Sequence, residues 1–158
     1  MRRKDTVMAA QHFLVPLDFS EDANQALDYA IDLANKLGGR LTLLHIMQSL
    51  PMGGTDMGAV LPYTSIQALE ADITRSMEAY LERVTAAGLE GEIVVVHGIP
   101  FHEIIETART RQVDLIIMGT HGRTGLHHVL LGSVAEKVVR LAPCSVLVAR
   151  IPTAVPVS

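Results

Sequence analysis

The sequence predicts an α/β domain built on an open, doubly wound parallel sheet. Strand-like apolar runs alternate with helix-like stretches in the order β-α-β-α-β-α-β-α-β. The apolar runs are nearly continuous, which is typical of parallel strands whose two faces are both covered by helices. Right-handed crossovers between such strands place helices on both faces of the sheet.

Composition narrows the class of protein. The chain has 158 residues, 49% of them hydrophobic, which suits one domain with a sizeable core. We expect a single domain over residues 1–158, with its core at about 12–150 and loose tails at 1–10 and 151–158. A net charge of −4 argues against a nucleic-acid partner.

The expected location is the cytoplasm. No apolar run approaches the roughly 18 residues that span a bilayer, so no membrane partner is expected. The start of the chain lacks the long apolar segment of a signal peptide. The single cysteine, Cys144, excludes an internal disulfide and suits a reducing compartment.

The first half of the chain holds two predicted strands and two helices. The first strand covers 12–18, and its Pro16 is expected near the carboxyl end, because a central strand disfavours proline. Ser20 is expected to cap the first helix, in which Leu37 belongs to the apolar face. The second strand covers 40–47, and a long loop follows at 48–63. The next helix should turn seven residues inward: Ile66, Leu69, Ile73, Met77, Tyr80, Leu81 and Val84.

The second half completes the pattern. The third strand covers 92–98, and Pro100 fits the first turn of the next helix. The fourth strand covers 113–119, a short helix opens after Gly132, and the fifth strand covers 144–150.

The chemistry is concentrated in "GTHGRTGLHHVLLGS", between the fourth strand and the next helix. Glycines let the backbone approach a ligand closely, and successive N–H groups form anion-binding nests. The helix that opens at Gly132–Ser133 begins with unpaired N–H groups and partial positive charge. The segment therefore has the parts of a polyphosphate cradle, with Arg123 as a modest additional contact.

Two better-known phosphate motifs are excluded by spacing. A P-loop requires a lysine beside the Ser or Thr, which Gly132–Ser133 lacks. The dinucleotide fingerprint begins G-x-G, whereas these glycines fall at 119, 122 and 125. The histidines of this segment have no metal-site spacing, and we interpret them as solvated loop residues.

The spacing Gly119-x-x-Gly122, nine residues, then Gly132–Ser133 resembles the motif of the ATP-binding universal stress proteins. "VPLDFSEDANQALDYA", "LLHIM" and "LGSVAEKVVRLAPCSVLVAR" extend the resemblance over about residues 12–150. It implies strand order 3-2-1-4-5 and a fold like that of the adenine-nucleotide alpha-hydrolases. It also implies a homodimer joined through the last strand, 144–150.

The resemblance also implies a binding site for ATP, with Mg²⁺ accompanying the phosphates. Asp18 matches the acidic nucleoside contact, beside the backbone of Pro16 and Leu17, and Ile46 matches the apolar adenine side. The ribose and first-phosphate positions are Met118, Gly119 and Gly122. The distal-phosphate positions are Gly132, Ser133 and Val134, and we expect Gly132→Val to block binding with the fold largely intact.

Three functions remain open on the sequence. The first is a nucleotide-dependent stress or regulatory protein that is not an enzyme, because no residue is evidently poised to activate water. The second is a slow ATPase or nucleotidyl transferase with Asp18 or His121 as base. The third is a partner-binding scaffold whose cleft stays empty.

Overall fold

The computed structural model describes residues 11–48, 63–121 and 131–150. The predicted tails, most of the loop at 48–63 and the segment 122–130 lie outside these residues. The described strands are β1 (Gln11–Pro16), β2 (Gly39–Met47), β3 (Gly91–His97), β4 (Leu115–Gly119) and β5 (Ser145–Ala149). The described helices are α1 (Glu21–Leu37), α2 (Tyr63–Ala86), α3 (Pro100–Thr110) and α4 (Ser133–Leu141).

All strand pairs are parallel, and the sheet order is β3-β2-β1-β4-β5, which confirms the predicted fold class. β1 lies at the centre, and successive side chains alternate between its two faces. Phe13 and Val15 enter the core beneath α1 and α2, and Leu14 enters the core beneath α3 and α4. The sheet is therefore covered by helices on both faces.

Helix α1 begins as its sequence predicts, and a glycine follows its last residue. The Ser20 hydroxyl accepts a hydrogen bond from the Ala23 amide at 3.2 Å, which caps the helix. Gly38 follows with φ of 74°, a left-handed conformation that glycine adopts without strain. Leu37, expected on the apolar face, is 42% exposed, because the helix ends there and Leu37 no longer faces the sheet.

The predicted inward face of α2 is correct only for its second half. Met77 and Val84 are fully buried, but Ile66 and Leu69 are 41% and 53% exposed. A helix of 24 residues is about 36 Å long, whereas the seven-residue strand β3 spans about 23 Å. The first turns of α2 therefore extend past the strand that the rest of the helix covers.

Pro16 is the last residue of β1, as expected, and it ends the pairing with β4. The His12 carbonyl accepts from the Asp114 amide on the β4 side, and the Leu17 amide donates to the Leu44 carbonyl on the β2 side. Peptide groups alternate sides along a strand, so Pro16 faces β4, where it has no N–H to donate. The β1–β4 ladder stops at Leu14–Ile116, although β4 stays paired to β5 up to Gly119.

No helix among the described residues is both long and apolar enough to cross a bilayer.

Candidate functional site

A pocket of about 600 Å³ opens where β1 and β4 separate. It lies beyond the carboxyl ends of the strands, at the point where the strand order reverses, which is where ligands bind in sheets of this kind. Every predicted binding residue within the described part of the chain lines it: Pro16, Leu17, Asp18, Ile46, Met118, Gly119, Gly132, Ser133 and Val134. Gly122 and Arg123 lie outside the described residues.

Asp18 is held by the turn that joins β1 to α1. Its Oδ1 accepts hydrogen bonds from the Ser20 amide at 3.0 Å and from the Ser20 hydroxyl at 2.5 Å. The same hydroxyl caps α1, so one residue links the helix start to the carboxylate. These two hydrogen bonds hold the Asp18 carboxylate at the edge of the pocket.

Within this turn, Phe19 packs against the rings of His45 and Tyr80. Phe19 has φ of 66°, an uncommon conformation for a bulky residue, and its ring lies 4.6 Å from the His45 ring and 6.0 Å from the Tyr80 ring. The His45 Nδ1–H donates to the Leu17 carbonyl at 2.7 Å. Burial raises the pKa of Tyr80, and the nearby Asp18 carboxylate acts in the same direction.

The opposite wall begins at the end of β4. The Asp22 carboxylate, in the first turn of α1, accepts from the Thr120 hydroxyl and from the His121 amide, each at 2.9 Å. His121 Nδ1 lies 3.3 Å from the same carboxylate. A Cβ on Gly119 would lie 2.7 Å from the Asp22 Cβ. Close packing of α1 on β4 therefore requires glycine at position 119.

The structure limits what Gly132 does in the site. Its amide donates to the Thr120 carbonyl at 2.7 Å, so this N–H group already has an acceptor within the protein. The next amides, those of Ser133 and Val134, lie in the first turn of α4, where no residue of the helix accepts from them. A phosphate at this helix start would meet these two amides and the exposed Ser133 hydroxyl.

The structure gives Gly132 a packing role that the expectation for Gly132→Val did not include. A Cβ on Gly132 would lie 2.8 Å from the Thr120 carbonyl oxygen, a backbone atom that cannot simply rotate away. The glycine is required by the approach of two protein segments, so its replacement disturbs the protein before it meets a ligand.

Several lining residues were not predicted from the sequence. They come mainly from the β3–α3 connection and from α3 and α4: Gln48, Ile99, Pro100, Phe101, Ile104, Thr120 and Lys137. The carboxyl ends of parallel strands meet at one edge of a sheet, so this rule applied to β3 would have found Ile99–Phe101. Lys137 follows Ser133 by four residues and shares its helix face, which was also readable from the sequence.

An open doubly wound sheet with a pocket at its reversal point defines a class of ligand-binding α/β domains. The sequence profile described as "Universal stress protein family" matches residues 9–150. The chain therefore belongs to the universal stress protein family.

Individual relatives agree with this assignment. The chain is 30% identical to the universal stress protein YxiE of Bacillus subtilis over 143 residues, covering 87% of this chain and 97% of the relative. It is 31% identical to the universal stress protein MJ0577 of Methanocaldococcus jannaschii over 150 residues, covering 87% and 93%. The structure of the universal stress protein UspA from Lactobacillus plantarum superposes with a TM-score of 0.74 at 29% identity, covering 90% and 99% of the two chains.

Proposed function

We propose that this chain binds an adenine nucleotide, with ATP and its accompanying Mg²⁺ as the physiological ligand, and acts as a nucleotide-dependent stress or regulatory protein in the cytoplasm. The observation that carries the proposal is the pocket at the β1–β4 separation, which gathers the described members of the predicted binding set. Its volume of about 600 Å³ suits a ligand of this size.

The residues of the pocket fit the chemical parts of a nucleotide. Asp18 would accept a hydrogen bond from the nucleoside part, and Ile46 and Met118 offer apolar surface to the base and ribose. The first turn of α4 offers the amides of Ser133 and Val134 to phosphate oxygens. Gly122 and Arg123 complete the proposed set. Among the described residues no cluster of His, Cys, Asp or Glu could hold a metal ion, so Mg²⁺ would be held chiefly by the phosphates.

Two related structures place nucleotides in this fold. One is a universal stress protein in complex with cAMP, at 24% identity, and the other is the universal stress protein from Archaeoglobus fulgidus in complex with dAMP, at 23% identity. At this level the likeness shows the fold alone, so the proposal depends on the pocket of this chain.

The proposal is tested by titrating the purified protein with ATP, ADP and AMP in a calorimeter, with Asp18→Asn and Ser133→Ala as site variants. Both variants should weaken ATP binding by about tenfold, because each removes a polar contact to the ligand. Glu21→Gln, an exposed neighbour that lies outside the pocket lining, is the matched control and should bind like the parent protein. The proposal fails if the parent protein binds none of the three nucleotides.

A slow hydrolase is the second candidate, and the contact between His121 and Asp22 favours it. A carboxylate beside an imidazole orients the ring, as it does for a histidine that acts as a general base. Phosphate release from ATP by the parent protein should then fall to background in His121→Ala. Turnover that is unchanged by this substitution excludes His121 as the base.

We further propose that the chain forms a homodimer through residues 144–150. β5 is an edge strand of the sheet, and its residues Val146–Ala149 are only partly buried. If the β5 strands of two copies paired antiparallel, each strand would cover the exposed edge of the other. Sedimentation at micromolar protein concentration distinguishes the dimer from a monomer.

A further inference from the structure

Two helix starts border the pocket, and neither has a side-chain cap. α3 contributes Pro100 and Phe101 to the lining, and α4 contributes Ser133 and Val134. The N-cap positions, Ile99 and Gly132, make no side-chain capping bond, whereas α1 is capped by Ser20. The first N–H groups of both helices therefore have no capping side chain at the N-cap position, although each first turn carries one acidic residue, Glu103 or Glu136.

Lys137 lies where these two helix starts approach each other. It is one turn beyond Ser133 on the same face of α4, and helical side chains lean toward the start of their helix. It lines the pocket, and its ammonium nitrogen lies 4.7 Å from the centre of the Phe101 ring. This distance is within the range of a cation–π contact, which holds the ammonium group beside the pocket.

In the part of the chain that the structure describes, the charge of Lys137 is not matched by a carboxylate. Within residues 11–48, 63–121 and 131–150, no ion pair involves Lys137, although most arginines there pair with an acidic group: Arg75, Arg83, Arg109, Arg111 and Arg140. An ammonium group beside two positive helix ends gains most from an anion supplied by a ligand. The acidic lining residue, Asp18, belongs to the turn after β1.

We propose that Lys137 contacts the phosphate chain of the bound nucleotide and makes the site prefer nucleotides with more than one phosphate. The inference rests on the proposed function. Asp18 engages the nucleoside part, and Lys137 adds an attraction that grows with the charge of the phosphate chain. Phe101 is a positioning residue, because its ring keeps the ammonium group at the pocket.

The test is calorimetric titration with AMP and ATP, at low salt and with Mg²⁺, of the parent protein and three variants. Lys137→Met should weaken ATP binding by about tenfold and change AMP binding by less than about twofold. Lys137→Arg should retain most of the ATP affinity, since the charge remains. Lys36→Met removes the same charge from the last turn of α1, outside the pocket lining, and should change neither affinity.

Two results overturn the inference. If Lys137→Met leaves ATP binding unchanged, the ammonium group does not reach the phosphates. If AMP and ATP lose affinity equally, Lys137 does not make the site prefer the longer phosphate chain. Both results differ from failure of the proposed function, in which the parent protein itself binds neither nucleotide. Thermal unfolding of Lys137→Met should match that of the parent protein, because the side chain is exposed.

Discussion

Gly132 shows that a glycine in a motif associated with ligand binding can be required by the packing of the protein itself. A motif of spaced glycines suggests close approach of a ligand, but a Cβ on Gly132 would already lie 2.8 Å from the Thr120 carbonyl oxygen. The neighbouring Ser133 is exposed, so its hydroxyl is open to a ligand. The two adjacent residues should therefore respond differently to substitution.

Gly132→Val should lower the free energy of unfolding by about 1–3 kcal/mol, the usual cost of forcing extra atoms into a packed position. Urea denaturation measures this change. Ser133→Ala is the control, and its unfolding free energy should stay within about 0.5 kcal/mol of the parent value. A Gly132→Val protein as stable as the parent would show that the Thr120 carbonyl moves aside at little cost.

At the scale of elements, the β1–α1 turn couples helix capping to the site. Ser20 accepts from the first turn of α1 and donates to Asp18, so a single hydroxyl serves both. Ser20→Ala should lower the free energy of unfolding by about 1 kcal/mol, the typical value of an N-cap. It should also weaken ATP binding, because Asp18 loses a hydrogen bond that orients it.

Urea denaturation and calorimetry on Ser20→Ala measure the two effects separately. Ser76→Ala, at an exposed position in α2, is the matched control and should change neither quantity appreciably. Loss of stability with full ATP affinity would mean that the remaining bond from the Ser20 amide is enough to hold Asp18.

At the scale of the whole molecule, the two ends of the strands carry different features. The pocket occupies the carboxyl ends of the strands, and a polar network occupies the amino ends. There the buried His12 Nε2 lies 2.7 Å from the Thr42 hydroxyl, which donates to Glu92 at 2.7 Å. Arg111 donates to the same Glu92 carboxylate at 2.6 Å.

This network predicts a loss of stability in acid. Burial, and then Arg40, lower the pKa of His12 from its usual 6.5, so just below pH 6.5 the unfolded chain binds more protons than the folded protein. The hydrogen bond from Thr42 lowers the pKa of Glu92 from 4.5. The stability that Glu92 contributes is present above pH 4.5 and is lost as the pH falls through its folded pKa. Both groups therefore reduce the free energy of unfolding as the pH falls.

Urea denaturation over a series of pH values should show this decline beginning near the usual His12 pKa of 6.5 and continuing below 4.5. His12→Gln should flatten the upper part of the curve, because the titrating group is gone. His97→Gln, at an exposed histidine, should leave the slope unchanged. Histidines ordinarily titrate between about pH 5 and pH 7. If the free energy of unfolding does not vary over that range, His12 does not contribute to the loss of stability in acid.

Local sequence patterns were sufficient for the α/β class, the family and the capping of α1, and the strand order followed from the resemblance to that family. These depend on short-range features: the alternation of apolar runs, the Ser20 cap, and the spacing of Gly119, Gly122 and Gly132. The binding set remains a prediction, although its described members line one pocket.

Only the tertiary structure decided which side chains of the long helix α2 are buried and which distant segments of the chain come into contact. Ile66 and Leu69 have the spacing of a buried face, yet they are exposed, because burial depends on where the sheet ends beneath α2. The roles of Gly119 and Gly132 and the position of Lys137 over Phe101 depend on segments far apart in the chain. Periodicity reports which way a side chain points along its own element, and only packing determines what it meets there.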